Sequence, residues 1–298
     1  MHLLKSVVAA TFLLASPSLE GQGGAPLGAP WDSVARILKA PGAMTGGYFR
    51  YNFPRRDITL RVGDVTVAPA MALGSWAGMS GDAANATMMG DLVLLAGELK
   101  PVLAELARQR IAVAAIHNHL AGESPQVTYV HFHAEGNVID LAKRLDAAIA
   151  RSATPRPVAA AAPPPVTIDT ALVFRTLGVS GRAQGNIAQV STNLVQGAVR
   201  MHGRVVNPAL GYGTPINIQM VSGDRAVATG DFSVLGVKVD AVTRVLAEHG
   251  ITTTAVHSHL VDEEPQIRYI HFWADGALRD VLRGLRAALD AGRQGGAP

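Results

Sequence analysis

The sequence of 298 residues contains no cysteine. This absence excludes disulfide bonds, thiolate metal sites, a cysteine nucleophile and lipid attachment at a cleavage-site cysteine. Charge is also limited, because charged residues make up 16% of the chain, the net charge is +3, and Lys and Arg are scattered. A chain of this kind lacks the basic surface that binds nucleic acid or anionic membranes. Its stability must come from a hydrophobic core, which this length permits.

Long apolar runs are also missing, so nothing in the mature chain is predicted to span a membrane. Residues 1–22 combine Lys5 with a short apolar run at residues 7–15, followed by Ser16-Pro17-Ser18. That order of charge, apolar run and small residues is typical of a secretory signal peptide. We therefore expect a periplasmic or secreted protein.

The pattern that is present is a duplication. Residues 117–136 and 257–276 are identical at eleven of twenty positions, and the windows around them hold seven of the ten histidines. Gly90-Asp91 likewise matches Gly230-Asp231. Residues 152–165, rich in Pro and Ala, lack helical or strand periodicity and predict a linker between the copies.

We therefore predict two duplicated domains of α+β class, repeat 1 at residues 31–151 and repeat 2 at residues 166–293. Each should contain a mixed or antiparallel sheet with packed helices, with the order β-α-β-β-α at its C-terminal end. Residues 90–95 read as a buried strand. Residues 74–87 are rich in Gly, Ser, Ala and Asn, which predicts a loop.

The histidines come in pairs spaced two apart, which places both side chains of a pair on one face of a strand. If residues 111–136 form a hairpin with its loop at residues 122–124, Tyr129 lies opposite His117, and His131 is a diagonal neighbour of His117. Clustered imidazoles near a carboxylate suit a divalent transition metal: zinc first, with copper, nickel, iron or manganese as alternatives. The candidate ligands are His117, His119, His131 and His133 in the first copy, and His257, His259, His271 and Glu263 in the second.

Glu123 is a candidate catalytic residue, as the base for a metal-assisted hydrolysis, or alternatively a fourth ligand. Two other interpretations stay open. One is a non-catalytic periplasmic protein that binds a metal or a small molecule, and the other is a structural module whose histidines fix a loop. No nucleophile elbow, P-loop or dinucleotide fingerprint favours another chemistry. Asp91 and Asp231 are expected to have turn roles or to bond a histidine.

Several segments resemble the LppY/LpqO family (DUF1259), and the resemblance covers nearly everything from Trp31 onwards in both halves. The segments are YFRYNFPRRD, PAMALGSWA, MGDLVLLAGELKPVLAEL, HNHLAGESPQVTYVHFH, GRAQGNIAQVS, TGDFSVL and HSHLVDEEPQIRYIHFWADG. The resemblance implies a bacterial protein that is frequently exported, and it implies no particular reaction. Members named as lipoproteins imply lipid anchoring, but this chain has no cysteine to carry it.

Overall fold

A computed structural model describes residues 28–156 and 162–293. The predicted signal peptide, residues 1–22, lies outside the described residues, as do residues 157–161 of the predicted linker. The linker begins against the first half rather than in solvent, because the backbone N–H of Ala153 donates to Glu98 Oε1 over 2.7 Å and Thr154 is buried. Among the helices of the described residues, none is long and apolar enough to cross a membrane.

The two halves repeat one order of elements. The first half consists of α1 (Trp31–Leu38), β1 (Gly42–Thr45), β2 (Tyr48–Pro54), β3 (Leu60–Val62), β4 (Val65–Val67), α2 (Pro69–Ala72), β5 (Gly74–Ser80), β6 (Ala86–Leu95), α3 (Ala96–Arg108), β7 (Ala112–His117), β8 (Glu123–Ser124), β9 (Val127–Gly136) and α4 (Val138–Ile149). The second consists of α5 (Thr170–Leu177), β10 (Gly181–Gln184), β11 (Ile187–Thr192), β12 (Arg200–Met201), β13 (Arg204–Val205), α6 (Pro208–Gly211), β14 (Thr214–Ser222), β15 (Arg225–Leu235), α7 (Val239–Glu248), β16 (Thr252–His257), β17 (Glu263–Glu264), β18 (Ile267–Ala277) and α8 (Leu278–Arg293). A short 3₁₀ turn precedes α7.

Each half is built on a six-stranded antiparallel sheet. The strand orders are β1-β2-β5-β6-β9-β7 and β10-β11-β14-β15-β18-β16. Two small sheets, β4-β3-β8 and β13-β12-β17, lie one in each half. The α+β class, the duplication and the antiparallel sheets are thus as the sequence predicts. The expected loop at residues 74–87 is wrong, because most of that segment forms β5 and the start of β6.

Alternation along the central strands separates two faces of each sheet. In β9, Val130, Phe132 and Ala134 pack in the core with α1, α3 and α4. Their neighbours Tyr129, His131 and His133 point to the other face, because successive strand residues alternate sides. The same alternation in β18 buries Ile270, Phe272 and Ala274 with α5, α7 and α8. Each sheet therefore has one face covered by its own helices, and one that faces the other half.

The halves are joined by reciprocal contacts of their short helices. Helix α2 lies against β14 and β15 of the second half, where Asn217 Nδ2 donates to Met71 O over 2.8 Å and Gln189 Nε2 donates to Ala70 O over 2.9 Å. In return, α6 lies over the first sheet, so close that a Cβ at Gly78 would lie 2.4 Å from Leu210 Cδ1. These hydrogen bonds satisfy backbone carbonyls of α2 with side chains of the other half, which helps to fix the halves in one relative position.

Candidate metal centre

Equivalent elements place a set of four polar side chains in each half. Asp91 lies in β6 and is paired across the sheet with His131 of β9. His117 ends β7, opposite Tyr129, as the hairpin register predicts. His119 follows two residues later. The second half repeats the arrangement with Asp231 in β15, His271 in β18, His257 at the end of β16, and His259.

A bulge in β7 sets which histidines meet. The register between β7 and β9 shifts between Val113 and Ala115. After this shift His117 lies diagonally from His131, and their rings stack with centroids 4.8 Å apart. The second half has the same shift between Thr253 and Ala255. A bulge inserts one residue and turns the strand, which aims the terminal histidine across the sheet face.

The two sets meet in one cluster between the halves. His117 stacks on His257 with centroids 3.8 Å apart. On either side of this pair, His119 contacts His271 and His131 contacts His259, with centroids 3.6 Å apart in both cases. The arrangement is therefore pseudo-twofold, with its axis between His117 and His257. The structure forms one shared cluster rather than one cluster in each half.

Tyrosines support the two histidines that lie beyond the strand ends. Tyr129 packs against His119 with ring centroids 3.8 Å apart, and Tyr269 stacks on His259 at 3.5 Å. Tyr269 donates its hydroxyl to Gly211 O over 2.6 Å, and Tyr129 donates to Ala72 O. These carbonyls end α6 and α2, the helices that join the halves. The imidazoles are thus positioned by the same contacts that hold the interface together.

Burial favours the neutral form of five of the six imidazoles. It lowers the pKa of His117 to about 4, with a further lowering by the nearby His271. It also lowers the pKa values of His119, His131, His257 and His259 well below the ordinary range, and neighbouring histidines add to the effect. Neutral imidazole is the form that binds metal ions.

The two aspartates lie within the same cluster and influence each other. Burial, and then repulsion by Asp231, raise the pKa of Asp91 well above its ordinary value. Asp91 Oδ2 is 3.9 Å from His131 Nε2 and 4.0 Å from His119 Nε2. Asp231 forms an ion-pair contact with His271 Nδ1. Burying two carboxylates together is costly unless a cation or a proton compensates them.

Many polar atoms of the cluster have no hydrogen-bond partner despite being buried. They include His117 Nε2, His119 Nε2, His131 Nε2, His257 Nδ1, His271 Nε2 and Asp91 Oδ1. Buried polar atoms of this kind are rare in proteins and call for an explanation such as an ion or water.

The ligand atoms are close enough to share metal ions. Four groups have all their ligand atoms within 4.8 Å of one another: His117 with His131, His257 and His259; His117 with His119 and His271; Asp91 with His119 and His131; and Asp231 with His259 and His271. The first two groups each combine histidines of both halves. Three or four imidazoles with carboxylate oxygens nearby match the ligand sets of zinc and its neighbours.

The predicted glutamates lie apart from this cluster. Glu263 is buried in β17, where its Oε1 accepts the backbone N–H of Ile267 over 2.8 Å and lies 3.8 Å from Arg268 Nη1. Glu123 lies in β8 with Oε1 buried and unpaired, and its charge raises the pKa of the buried Tyr129 further. Within the described ranges, neither glutamate belongs to a group that could hold a metal ion.

His133 also leaves the predicted set. Its Nε2 lies 3.6 Å from Glu135 Oε1. His133, Glu135 and His202 of the second half form a separate group of possible metal ligands. Asp91 and Asp231, expected to have turn roles or to bond a histidine, lie inside the central cluster, where Asp231 contacts His271. The sequence signal for both aspartates is the repeated Gly-Asp pair. The strands pack closely at its glycine, because a Cβ at Gly90 would lie 2.2 Å from Trp76 O and one at Gly230 would lie 2.1 Å from Pro215 O.

Fold and site together define a duplicated α+β protein with a histidine and aspartate cluster between its halves. The chain belongs to the family described as Domain of Unknown Function (DUF1259), which matches residues 32–151 and again residues 171–291. This match confirms the two tandem copies that the sequence segments indicate.

Comparison with other known proteins adds no function. No curated protein matches the chain. Among solved structures, the chain is similar to the trimeric bacterial microcompartment shell protein PduB at 11% identity and a TM-score of 0.23, over 86% of this chain and 91% of that one. It is also similar to EtuB from Clostridium kluyveri at 11% identity and a TM-score of 0.21, over 85% and 90% of the respective chains. Likenesses this weak carry no argument.

Proposed function

We propose that this protein binds a divalent transition metal, zinc first, in one centre shared by its two halves. The observation that carries the proposal is the convergence of six histidines, three from each half, whose ligand atoms fall into overlapping groups no wider than 4.8 Å. Burying these imidazoles beside two carboxyl groups is unfavourable, and metal coordination would compensate it.

The proposed ligands are His117, His119, His131, His257, His259 and His271, with Asp91 and Asp231 as carboxylate ligands. Each aspartate lies near two histidines of its own half, and those two histidines contact different histidines of the other half. Two metal positions related by the pseudo-twofold axis would use all of these groups. Export remains part of the proposal and rests on residues 1–22.

The test is metal analysis of protein purified without a histidine tag. We expect bound metal in near-stoichiometric amount, and the loss of most of it in the double variant His117→Ala and His257→Ala, with far-ultraviolet circular dichroism unchanged. His249→Ala is the matched control, because His249 is exposed at the end of α7. Wild-type protein that stays metal-free after incubation with zinc, copper, nickel and manganese would contradict the proposal.

A second candidate, metal-assisted hydrolysis, is favoured by the environment of Glu123. Its buried oxygen has no partner, whereas the equivalent Glu263 is held by Ile267 and Arg268. A free carboxylate beside Tyr129 would suit a general base. We expect Glu123→Gln to keep the metal but abolish hydrolysis of chromogenic esters or phosphate esters, while Glu264→Gln keeps both. A loaded wild-type protein that is inactive on these substrates supports the non-catalytic binding protein instead.

A further inference from the structure

We propose that His133, Glu135 and His202 form a second metal site, distinct from the central cluster, which takes a zinc-type divalent ion and links the two halves at one edge of their interface. The proposal does not depend on the central centre. His133 and Glu135 lie on β9, and His202 lies in the turn between β12 and β13 of the other half.

The spacing of the three ligand atoms suits a single ion. Glu135 Oε1 lies 3.6 Å from His133 Nε2 and 3.7 Å from His202 Nδ1, and all three atoms fall within 4.8 Å of one another. Tetrahedral zinc holds its ligands at about 2.0–2.1 Å, which places ligand atoms roughly 3.4 Å apart. The separations are too long for direct hydrogen bonds but only slightly wider than a metal site requires.

The orientation of the carboxylate leaves one oxygen available. Arg204 Nε lies 3.2 Å from Glu135 Oε2, and the guanidinium also donates to the side-chain and backbone oxygens of Asn85 over 2.8 and 2.9 Å. Glu135 Oε1 and His133 Nε2 are buried without a hydrogen-bond partner. Arg204 thus fixes the carboxylate by one oxygen and directs the other toward the two imidazoles, as neighbouring donors commonly do at metal sites.

The backbone of His202 lies in a region that most residues other than glycine avoid. Its φ is +50°, in the left-handed region that glycine adopts most easily. The equivalent turn of the first half has Gly63 at this point, with φ +58°. A non-glycine residue held in this region costs of order 1 kcal/mol or more, and such residues are concentrated at functional sites. A ligand role accounts for the imidazole at a position that favours glycine.

The pseudo-symmetric corner lacks the ligands and is closed by an ion pair. There Trp273 matches His133, Asp275 matches Glu135, and Gly63 matches His202. Arg225 spans the halves, with 2.7 Å contacts to both Asp64 and Asp275. Both corners of the interface therefore have an arginine ion pair across the halves, and the corner of His202 adds two imidazoles to it.

The site is open on one side, which leaves a coordination position for water or a small anion. The His202 side chain is 44% exposed, whereas that of His133 is 12% exposed. A cavity of about 200 Å³, lined by Arg204, Met89 and Met201 among others, adjoins the trio, since Met89 lies opposite His133 in the sheet. With three protein ligands and a guanidinium nearby, this site should bind zinc more weakly than the central centre.

The test is competitive zinc titration of the full chain against a chromophoric chelator. We expect the wild type to bind one zinc equivalent that His202→Gly either lacks or binds about 100-fold more weakly. Loss of a supporting group weakens a metal site by about 10–100-fold, and loss of a ligand should weaken it at least as much. His202→Gly matches the first-half turn and should fold. His133→Gln should cause the same loss, and His249→Gln should cause none.

The same titration in the background His117→Ala with His257→Ala separates the two sites. There the weaker equivalent should persist and should still depend on His202. Identical zinc binding by wild type and His202→Gly in both backgrounds would overturn the proposal, and would assign the trio to hydrogen bonding through water.

Discussion

His117 and His257 stack on each other across the boundary between the two halves, with ring centroids 3.8 Å apart. Each occupies the same place in its own repeat, the last residue of the edge strand. Their contact therefore lies on the pseudo-twofold axis of the molecule. Both repeats are therefore needed to form the site, because each group of possible metal ligands that includes His117 or His257 contains residues of both halves.

If the centre belongs to both halves, it should survive a cut between them. We expect replacement of residues 157–161 by a protease site, followed by cleavage, to leave the halves associated in size-exclusion chromatography and able to bind metal. The reason is the interface formed by α2, α6 and the ties of Asn217 and Gln189. The same cleaved chain with Gly78→Val should dissociate more readily, since its side chain would collide with Leu210. Separation of the folded halves in the cleaved chain that keeps Gly78 would contradict the prediction.

The buried carboxyl groups of the central cluster should lower the stability of the metal-free protein. We expect Asp91→Asn to raise the melting temperature in chelator by a few degrees, about 2–4 °C per kcal/mol, because it removes a carboxyl group whose ionisation is opposed by burial and by Asp231. The same variant should gain less stability from added zinc than wild type does. Asp224→Asn, in an exposed turn, is the control and should change neither value. A lower melting temperature in chelator would argue against this account of Asp91.

The sequence predicted the residues of the site better than it predicted their contacts between the two halves. A hairpin with its loop at residues 122–124 predicted Tyr129 opposite His117, and the structure confirms this register. Periodicity shows which face a residue occupies, but not what covers that face. The contacts of His131 with His259 and of His119 with His271 depend on how two separate sheets pack, which no local pattern encodes.

Amino-acid composition led to a wrong prediction of a loop where the two halves pack closely. Residues 74–80 look like a loop because of their Gly and Ser content, yet they form a strand with small residues under α6. A side chain at Gly78 would meet Leu210 and Tyr48. Small residues there serve close packing rather than a turn. The contact lies more than one hundred residues away along the chain, beyond the reach of a local reading.

Close strand packing also explains the glycine before each aspartate. We expect Gly90→Ala to destabilise the protein by about 1–3 kcal/mol or more, because the added Cβ would lie 2.2 Å from Trp76 O. Gly97→Ala is the matched control, since Gly97 lies in α3 with nothing within 4 Å of a Cβ. That change should be neutral or stabilising by up to about 1 kcal/mol. Urea denaturation of both variants measures the difference, and equal stabilities would mean that the sheet yields at Gly90.

The first half also contains a fully buried guanidinium that should make its stability sensitive to acid. Arg55 donates from Nη1 to Glu98 Oε2 over 2.7 Å and from Nε to Asp57 Oδ1 over 2.9 Å. Burial alone would raise the pKa of Glu98, but hydrogen bonds from Arg55, Leu95 and Ala153 lower it below its ordinary value. Burial and Arg55 oppose each other at Asp57 in the same way, and its pKa is also lowered.

A carboxylate whose pKa is lower in the folded state than in the unfolded state stabilises the fold above the unfolded pKa. That stability is lost as the pH falls through the folded value. We therefore expect the free energy of unfolding to decrease as the pH falls below about 4.5. Arg55→Met should cost about 3–5 kcal/mol at neutral pH, because it leaves Glu98 without its partner, and it should flatten this acid dependence. Asp64→Asn, which breaks an exposed pair with Arg225, should change the free energy of unfolding little, because solvent screens an exposed ion pair. Urea titrations of the three proteins at pH 3, 4, 5 and 7 give the comparison, and an unchanged acid slope in Arg55→Met would show that other carboxylates cause it.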